Sequence, residues 1–383
     1  MNIVTNVGNH MRKIDAYVVE GTNQPFTRQQ LYLDDPQPGE LLVRIVASGI
    51  CHTDLNTQTG NMPMPLPAVL GHEGSGVVEA VGEGVEDINV GDHVILGWPY
   101  CGKCHNCDRG EHRYCEHIGA ELCGGVRQHG LLAGHSAYTR ENGKEIGGHF
   151  FGQSSFATYS IVTARSVVKA PKNLDLTLLG PLACGITTGA GAVFNNANPG
   201  PGETVVIFGA GAVGLAAVMA AATTPASKII IVDIKDDRLE LAKRFGATHT
   251  INSNTTNAVE TILAINGGPV EHAIDCTGVI KVIEDAAETV GMLGQLLLIG
   301  GAPTGARFSL DHLKALWGQR IIGVLGGSST SRKLIPGLLD LHARGKFPFD
   351  QLISFYDFDN FDQALADAKS GKAIKPVIRM SEV

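Results

Sequence analysis

Residues 204–214, TVVIFGAGAVG, constrain the fold of this chain more than any other stretch. TVVIF reads as a strand of the kind buried on both faces of a parallel sheet. It runs directly into Gly209-Ala210-Gly211-Ala212-Val213-Gly214, a G-x-G-x-x-G pattern, and a helix is expected from about 213 to 222. The next apolar strand, 228–232 (KIIIV), ends on Asp233, 19 residues after Gly214. Strand, glycine turn, helix, strand and acid in this order form a fingerprint for a dinucleotide, which a glycine-rich turn alone would not. Gly209 permits the tight turn, Gly211 lets the backbone approach a pyrophosphate, and Gly214 lets helix and strand close on one another. The helix N-terminus adds free N–H groups and a partial positive charge. Asp233 can accept both hydroxyls of a ribose and repels a 2′-phosphate, so NAD is expected over NADP.

The alternation continues downstream. A helix over 236–245 stops at Gly246, and further strands are expected at 272–275, 295–299 and 320–325. Alternating strands and helices specify a doubly wound parallel sheet. The first half reads differently, as short β-branched strands at 41–50, 76–81, 92–96 and 156–162, with a loop enforced by Pro63, Pro65 and Pro67. Residues 116–149, rich in Gly and His, read as a long surface lobe. After about 328, helices at 334–343 and 361–370 and a strand at 375–380 form a tail too short for its own domain, expected to pack back on the N-terminal region.

Length and composition narrow the function. At roughly 150 residues per domain, 383 residues suggest two or three domains. With 44% apolar and 18% charged residues the chain is globular rather than disordered. No apolar run reaches the roughly 18 residues of a membrane span. Residues 1–10 lack a basic patch followed by an apolar core, so no signal peptide is expected. A net charge of −8 without a basic stripe argues against nucleic acid.

Five of the eight cysteines fall within 23 residues. In a chain without a secretory signal such clustering points to metal before disulfides. Cys101, Cys104, Cys107 and Cys115 offer four thiolates on one loop, the donor set of a closed, structural tetrahedral zinc site. A C-x-x-C redox pair accounts for only two of them, and the nearby His105, His112 and His117 read as solvated loop residues. Cys51, His72 and Cys184 are far apart, and spacing does not show that they converge; each alone reads as a buried thiol or a core histidine.

The chain resembles the zinc-dependent medium-chain alcohol dehydrogenases. The matching segments are GICHTDL (49–55), GHEGSG (71–76), CGKCHNCDRGEHRYC (101–115), FGQSSFATY (151–159), PLACGITTGAG (181–191), FGAGAVG (208–214) and PVIRM (376–380). They span nearly the whole chain in order, and the fourth and fifth are most similar to the aryl (benzyl) alcohol dehydrogenase branch. The resemblance implies an α/β fold: a GroES-like β-rich catalytic domain, residues 1–186 completed by 329–383, and a doubly wound Rossmann cofactor domain over 187–328. It implies two zinc ions per chain, a catalytic one on Cys51, His72 and Cys184 and a structural one on the four clustered cysteines. Asp54 would hydrogen-bond the second ring nitrogen of His72. Glu73 would sit beside the metal and assist ligand exchange, and Thr53 would take the alcohol proton. His52 and Arg379 would contact the cofactor pyrophosphate, Thr188 would lie near the nicotinamide, and Lys235 and Arg238 would reach the adenosine ribose. Met62, Trp98 and Phe151 would wall a pocket for flat, apolar alcohols. One position departs: Asn56 stands where many members carry the histidine that ends the proton relay, and an amide carries no proton at neutral pH. Cys123 and Cys276 match no role.

The implied activity is NAD-dependent interconversion of primary, aromatic or allylic, alcohols and aldehydes by hydride transfer. Alternatives are a polyol dehydrogenase or a glutathione-dependent formaldehyde dehydrogenase of the same fold, and a zinc-free quinone reductase or NADH-binding sensor. Implied partners are a small-molecule alcohol or aldehyde and further copies of the chain, as a homodimer or homotetramer, with no membrane. The expected location is the cytoplasm.

Overall fold

The computed structural model describes residues 11–381. Residues 1–10, on which the signal-peptide expectation rests, lie outside the described residues. The described residues form two compact units, one comprising 11–110, 115–183 and 353–381, the other Glu111–Tyr114 and Cys184–Leu352. These cuts and the expected 187–328 division differ at both ends. The helix Ser331–Ala343 belongs to the second unit, and the chain returns to the first only at Ile353.

The first unit is built from two sheets. One orders Ala68–Val69, Arg12–Val19, Phe26–Leu33, Tyr138–Thr139 and Glu145–Ile146. The other orders Val167–Lys169, His93–Leu96, Gly74–Val81, Glu40–Gly49, Lys375–Arg379 and Ile353–Asp357, with Tyr159–Thr163 also paired to Glu40–Gly49. Glu40–Gly49 is the hub. It pairs antiparallel with three other strands, so apolar residues occupy almost every position and the single arginine, Arg44, reaches out to Glu79 at 2.9 Å. The C-terminal strand lies antiparallel on it, Val377 opposite Gly49 and Arg379 opposite Ala47. That register brings the end of the chain beside the segment that leads into Cys51.

The segment 116–149 is more ordered than its weak periodicity suggests. It contains the helix Ile118–Cys123 and a hairpin that extends the first sheet, with Tyr138 fully buried. The buried Arg127 guanidinium pairs with Asp34 and Glu40, both at 3.0 Å. Long-range charge pairing and left-handed turns at Gly125, Gly130, Gly134 and Gly143 leave no local apolar pattern to read.

The second unit is a six-stranded parallel sheet ordered His249–Asn252, Lys228–Asp233, Thr204–Phe208, Val270–Asp275, Val290–Leu298 and Arg320–Gly323. This is the doubly wound arrangement, whose ligands sit at the carboxyl ends of the strands where the order reverses. The helix Ala212–Ala221 is apolar and buried from Gly214 to its end. Asp236–Arg244 carries Asp236 and Asp237 in its first turn and Lys243 and Arg244 in its last, matching the helix dipole. Phe208, Val206, Ile230, Ala273 and Leu296 pack in its core. No single helix among the described residues is long and apolar enough to cross a membrane.

Candidate metal centre and cofactor turn

The centre is assembled around one carboxylate. The helix His52–Gln58 starts directly after Cys51, and the Asp54 carboxylate accepts the Cys51 N–H at 3.0 Å, capping the helix. Its other oxygen accepts the Gly71 N–H at 3.1 Å and pairs with His72 Nδ1 at 3.0 Å. Asp54 and His72 are both 0% exposed. A carboxylate only accepts, so Nδ1 carries the proton. The other ring nitrogen, Nε2, is buried and makes no hydrogen bond among the described residues. One ligand atom each from Cys51, His72, Glu73 and Cys184 lie within 4.8 Å of one another. Cys184 is a single peptide bond beyond Ala183, where the first unit ends. Burial acts against an imidazolium here, but Asp54 and Cys51 outweigh it and raise His72 to about 10. Two cysteine sulfurs, one oriented imidazole with an orphaned nitrogen and a nearby carboxyl group fit zinc.

Glu73 has a partner that the sequence pattern did not flag. Lys375 Nζ lies 2.8 and 2.9 Å from its two oxygens, with the side chains 3% and 0% exposed. Burial pushes the Glu73 carboxyl up to about 7, against the pull of Lys375. Space for this pair depends on Gly49, where a Cβ would come within 2.1 Å of Glu73 Oε2. Lys375 opens an apolar strand, and a buried lysine between apolar neighbours was the available signal. Arg379, four residues on, is exposed, and its guanidinium stacks 4.3 Å from the Phe355 ring.

The remaining expected residues are distributed unevenly. The Thr53 hydroxyl is 3.7 Å from Cys51 Sγ, whereas His52 on the same helix is exposed and Asn56 is half-buried. An aromatic wall stands beside His72: the Phe151 ring is 4.5 Å away, Phe150 is 5.6 Å away, and Trp98 meets Phe151 edge-on at 5.0 Å. Phe151 takes this position with φ of 50°, a left-handed conformation that a bulky residue adopts only when its surroundings impose it. Met62 is half-buried, its N–H donating to Asn56 O at 3.1 Å.

The four clustered cysteines converge as expected, all buried, with their sulfurs within 4.8 Å of one another. Main-chain N–H groups point at the sulfurs: Glu116 to Cys104 and Cys101 to Cys115, both at 3.4 Å. Against burial, such N–H groups lower the Cys104 thiol, while burial raises Cys107 and Cys115. The donor set again fits zinc, here with its coordination closed. Cys123 lies outside both clusters, and burial raises its thiol to about 12. Cys276 also lies outside them.

In the second unit, Gly209 has φ of 97°, and a Cβ on Gly214 would sit 1.8 Å from Gly209 O. A Cβ on Gly211 would meet nothing within 4 Å. Gly211 caps the helix Ala212–Ala221, so that open space lies at a helix N-terminus, where a pyrophosphate fits. Asp233 accepts from Ala210 N at 2.6 Å, Ile234 N at 2.8 Å and Lys235 N at 2.9 Å. Arg238 is buried, which lowers its pKa, and Lys235 is exposed. Thr188 is buried in the helix Gly185–Gly191 and its hydroxyl donates to Cys184 O at 2.8 Å.

Comparison with known proteins identifies the family. Residues 37–172 match the family described as alcohol dehydrogenase GroES-like domain, and 212–344 that described as zinc-binding dehydrogenase. Geraniol dehydrogenase of Castellaniella defragrans is 39% identical over 95% of this chain and 96% of its own. S-(hydroxymethyl)glutathione dehydrogenase of Komagataella pastoris is 36% identical over 96% of this chain and 98% of its own. The solved structure of benzyl alcohol dehydrogenase from Acinetobacter calcoaceticus is similar with a TM-score of 0.91 and 42% identity, covering 97% of this chain and 100% of that one.

Proposed function

Because this chain belongs to the zinc-dependent medium-chain alcohol dehydrogenases, with a GroES-like unit and a Rossmann unit, we propose that it oxidises aromatic or allylic primary alcohols to aldehydes with NAD, and runs the reverse reaction. The observation that carries this is the convergence of Cys51, His72 and Cys184 beside the aromatic wall of Phe150, Phe151 and Trp98. The likeness to a geraniol and to a benzyl alcohol dehydrogenase supports a flat, unsaturated substrate.

Cys51, His72 and Cys184 would hold the catalytic zinc, and Cys101, Cys104, Cys107 and Cys115 the structural one. When bound, zinc supplies Lewis acidity toward an alcohol oxygen and the nicotinamide supplies a hydride acceptor. The chain does the rest. Asp54 fixes the His72 tautomer, Thr53 takes the alcohol proton, and Glu73 with Lys375 sets the charge beside the metal. Asn56 carries no proton onward, so the relay ends at water or at His52. The turn Gly209–Gly214 would hold the pyrophosphate, aided by His52 and Arg379. Asp233 with Lys235 and Arg238 would hold the ribose, with Thr188 near the nicotinamide. Residues 187–328 form the cofactor domain in this reading, and 1–186 with 329–383 the catalytic one.

Leu313, Leu316, Trp317 and Ile321 are exposed around the edge strand Arg320–Gly323, which supports a second copy as its cover, in a homodimer or homotetramer. Thiolate metal sites suit the reducing cytoplasm.

An NADH-formation screen over benzyl, cinnamyl, terpenoid and short aliphatic alcohols tests substrate class, with formaldehyde plus glutathione as the rival arm. Preference for ethanol over every aromatic and terpenoid alcohol refutes the proposal. Cys51→Ala should abolish turnover and remove one zinc of two, and unchanged turnover refutes the assignment of that ligand.

A further inference from the structure

The stretch 149–156 contributes Phe150 and Phe151 to the aromatic wall, but its other residues have no role in the proposed chemistry, and its conformation is costly. His149, Phe151 and Ser154 all have positive φ, three non-glycine residues within six, each costing on the order of 1 kcal/mol. What over-determines this backbone is the loop it grips. Ser154 Oγ donates to Val69 O at 2.7 Å, Phe156 N to Leu70 O at 3.0 Å, and Ser155 N to Gly71 O at 2.9 Å. The next carbonyl in that series belongs to His72, and its partner is a side chain. Gln153 Nε2 donates to His72 O at 3.0 Å and to Leu96 O at 2.8 Å, while Gln153 Oε1 accepts the Gly74 N–H at 2.9 Å. Gln153 is 0% exposed, and both amide hydrogens and the oxygen are engaged.

His72 is therefore held twice. Asp54 orients the ring from one end, and the Gln153 carboxamide brackets the main chain on both sides of Glu73 from the other. Gly74 is shaped for this bracket, since a Cβ there would meet Gln153 Oε1 at 3.0 Å and Ser155 Cβ at 2.7 Å. We propose that Gln153 is a positioning residue for the catalytic metal: it fixes the His72 backbone, and so the direction of Nε2, without touching metal, cofactor or substrate. This rests on the reading of Cys51, His72 and Cys184 as the catalytic zinc ligands. A glutamine suits the task because only a carboxamide offers two donors and one acceptor in one plane at this reach. A methionine keeps the length and apolar volume but leaves three buried main-chain groups without this partner. A glutamate, neutral when buried, still accepts from Gly74 but retains a single donor for two carbonyls.

The test uses the purified holoenzyme with Gln153→Met, Gln153→Glu and, as a control on the same segment, Ser154→Ala. Metal release to a chelator is followed at both sites, the four-cysteine site serving as internal reference. Cobalt(II) is then exchanged into the catalytic site and its d–d absorption recorded. Gln153→Met should release the catalytic metal at least about ten-fold faster and shift or weaken the cobalt band, with the four-cysteine site unchanged. Gln153→Glu should fall between it and wild type. Ser154→Ala should lower thermal stability while leaving release rate and cobalt spectrum as in wild type. Should Gln153→Met fail to fold, Gln153→Glu decides by the same two readouts. Glutamine variants that match wild type in both, whatever their melting temperatures, overturn this inference alone. A wild type that holds metal only at the four cysteines overturns the zinc reading and this inference with it.

Discussion

Gly49→Ala probes the tightest contact at the metal centre. Gly49 lies in a strand, not in the left-handed region, so its backbone accepts alanine without strain. Any cost must come from the added methyl, which would sit 2.1 Å from Glu73 Oε2 and 3.2 Å from Glu73 Cδ. The carboxylate has no easy retreat, because Lys375 holds both of its oxygens. Either the carboxylate is pushed off and a buried ammonium loses its counter-charge, or the strand moves and takes Cys51 with it. Breaking a buried pair costs about 3–5 kcal/mol. For a unit of this size that lowers the melting temperature by roughly 10 °C. Calorimetry and zinc analysis should show Gly49→Ala with that loss of stability and with zinc falling from two toward one per chain. The cause can be isolated by repeating the substitution in a Glu73→Ala/Lys375→Met background. With the carboxylate gone, the same methyl should cost less than about 1 kcal/mol, the difference being the coupling energy. Equal costs in both backgrounds, or none in either, would refute the reasoning.

Three further outcomes follow from the geometry. His149 is buried with its Nε2 accepting from Ala137 N, and burial with the nearby Arg127 lowers it to about 3. Between about pH 6.5 and 3 the unfolded chain binds a proton that the folded chain refuses, so stability falls with falling pH, by roughly 2–3 kcal/mol from pH 7 to 4.5. Urea unfolding of His149→Gln should lose that share of the pH dependence, and an unchanged slope would count against the assignment. Asp233→Ser should raise the NADP-to-NAD ratio of kcat/KM by at least about ten-fold, or about 1.4 kcal/mol, and lower thermal stability because three N–H groups lose their acceptor. Cys107→Ser should remove one zinc and lower the melting temperature, while the cobalt band of the other site stays as in wild type.

Much of the second unit was legible in the sequence because its signals are local. TVVIF, the glycine turn, KIIIV and Asp233 lie within 30 residues, and each states its own geometry. The four-cysteine loop was legible for the same reason. The first unit was harder. Arg12–Val19 mixes polar and apolar residues, and its pairing with Phe26–Leu33 supplies what alternation does not. The lobe over 116–149 hides Arg127, whose partners Asp34 and Glu40 lie about 90 residues earlier. Cys51, His72 and Cys184 were assigned only through resemblance, since no periodicity joins them. Lys375 and Gln153 went unflagged because their meaning lies in partners 302 and 81 residues away. Neither charge pattern nor spacing encodes such distances.

The carboxylate of Asp233 ties the end of one strand to the glycine turn of another through Ala210 N–H. In inheritance, that gives one codon two duties: the residue that would choose the cofactor also shapes the loop that would grip it. A lineage drifting toward the phosphorylated cofactor by substitution here would gain preference and lose architecture in the same step. Substitution at this position is therefore expected to cost stability even where it alters preference. Change is expected to arrive together with a compensating substitution in the turn, as a paired historical event rather than a single step.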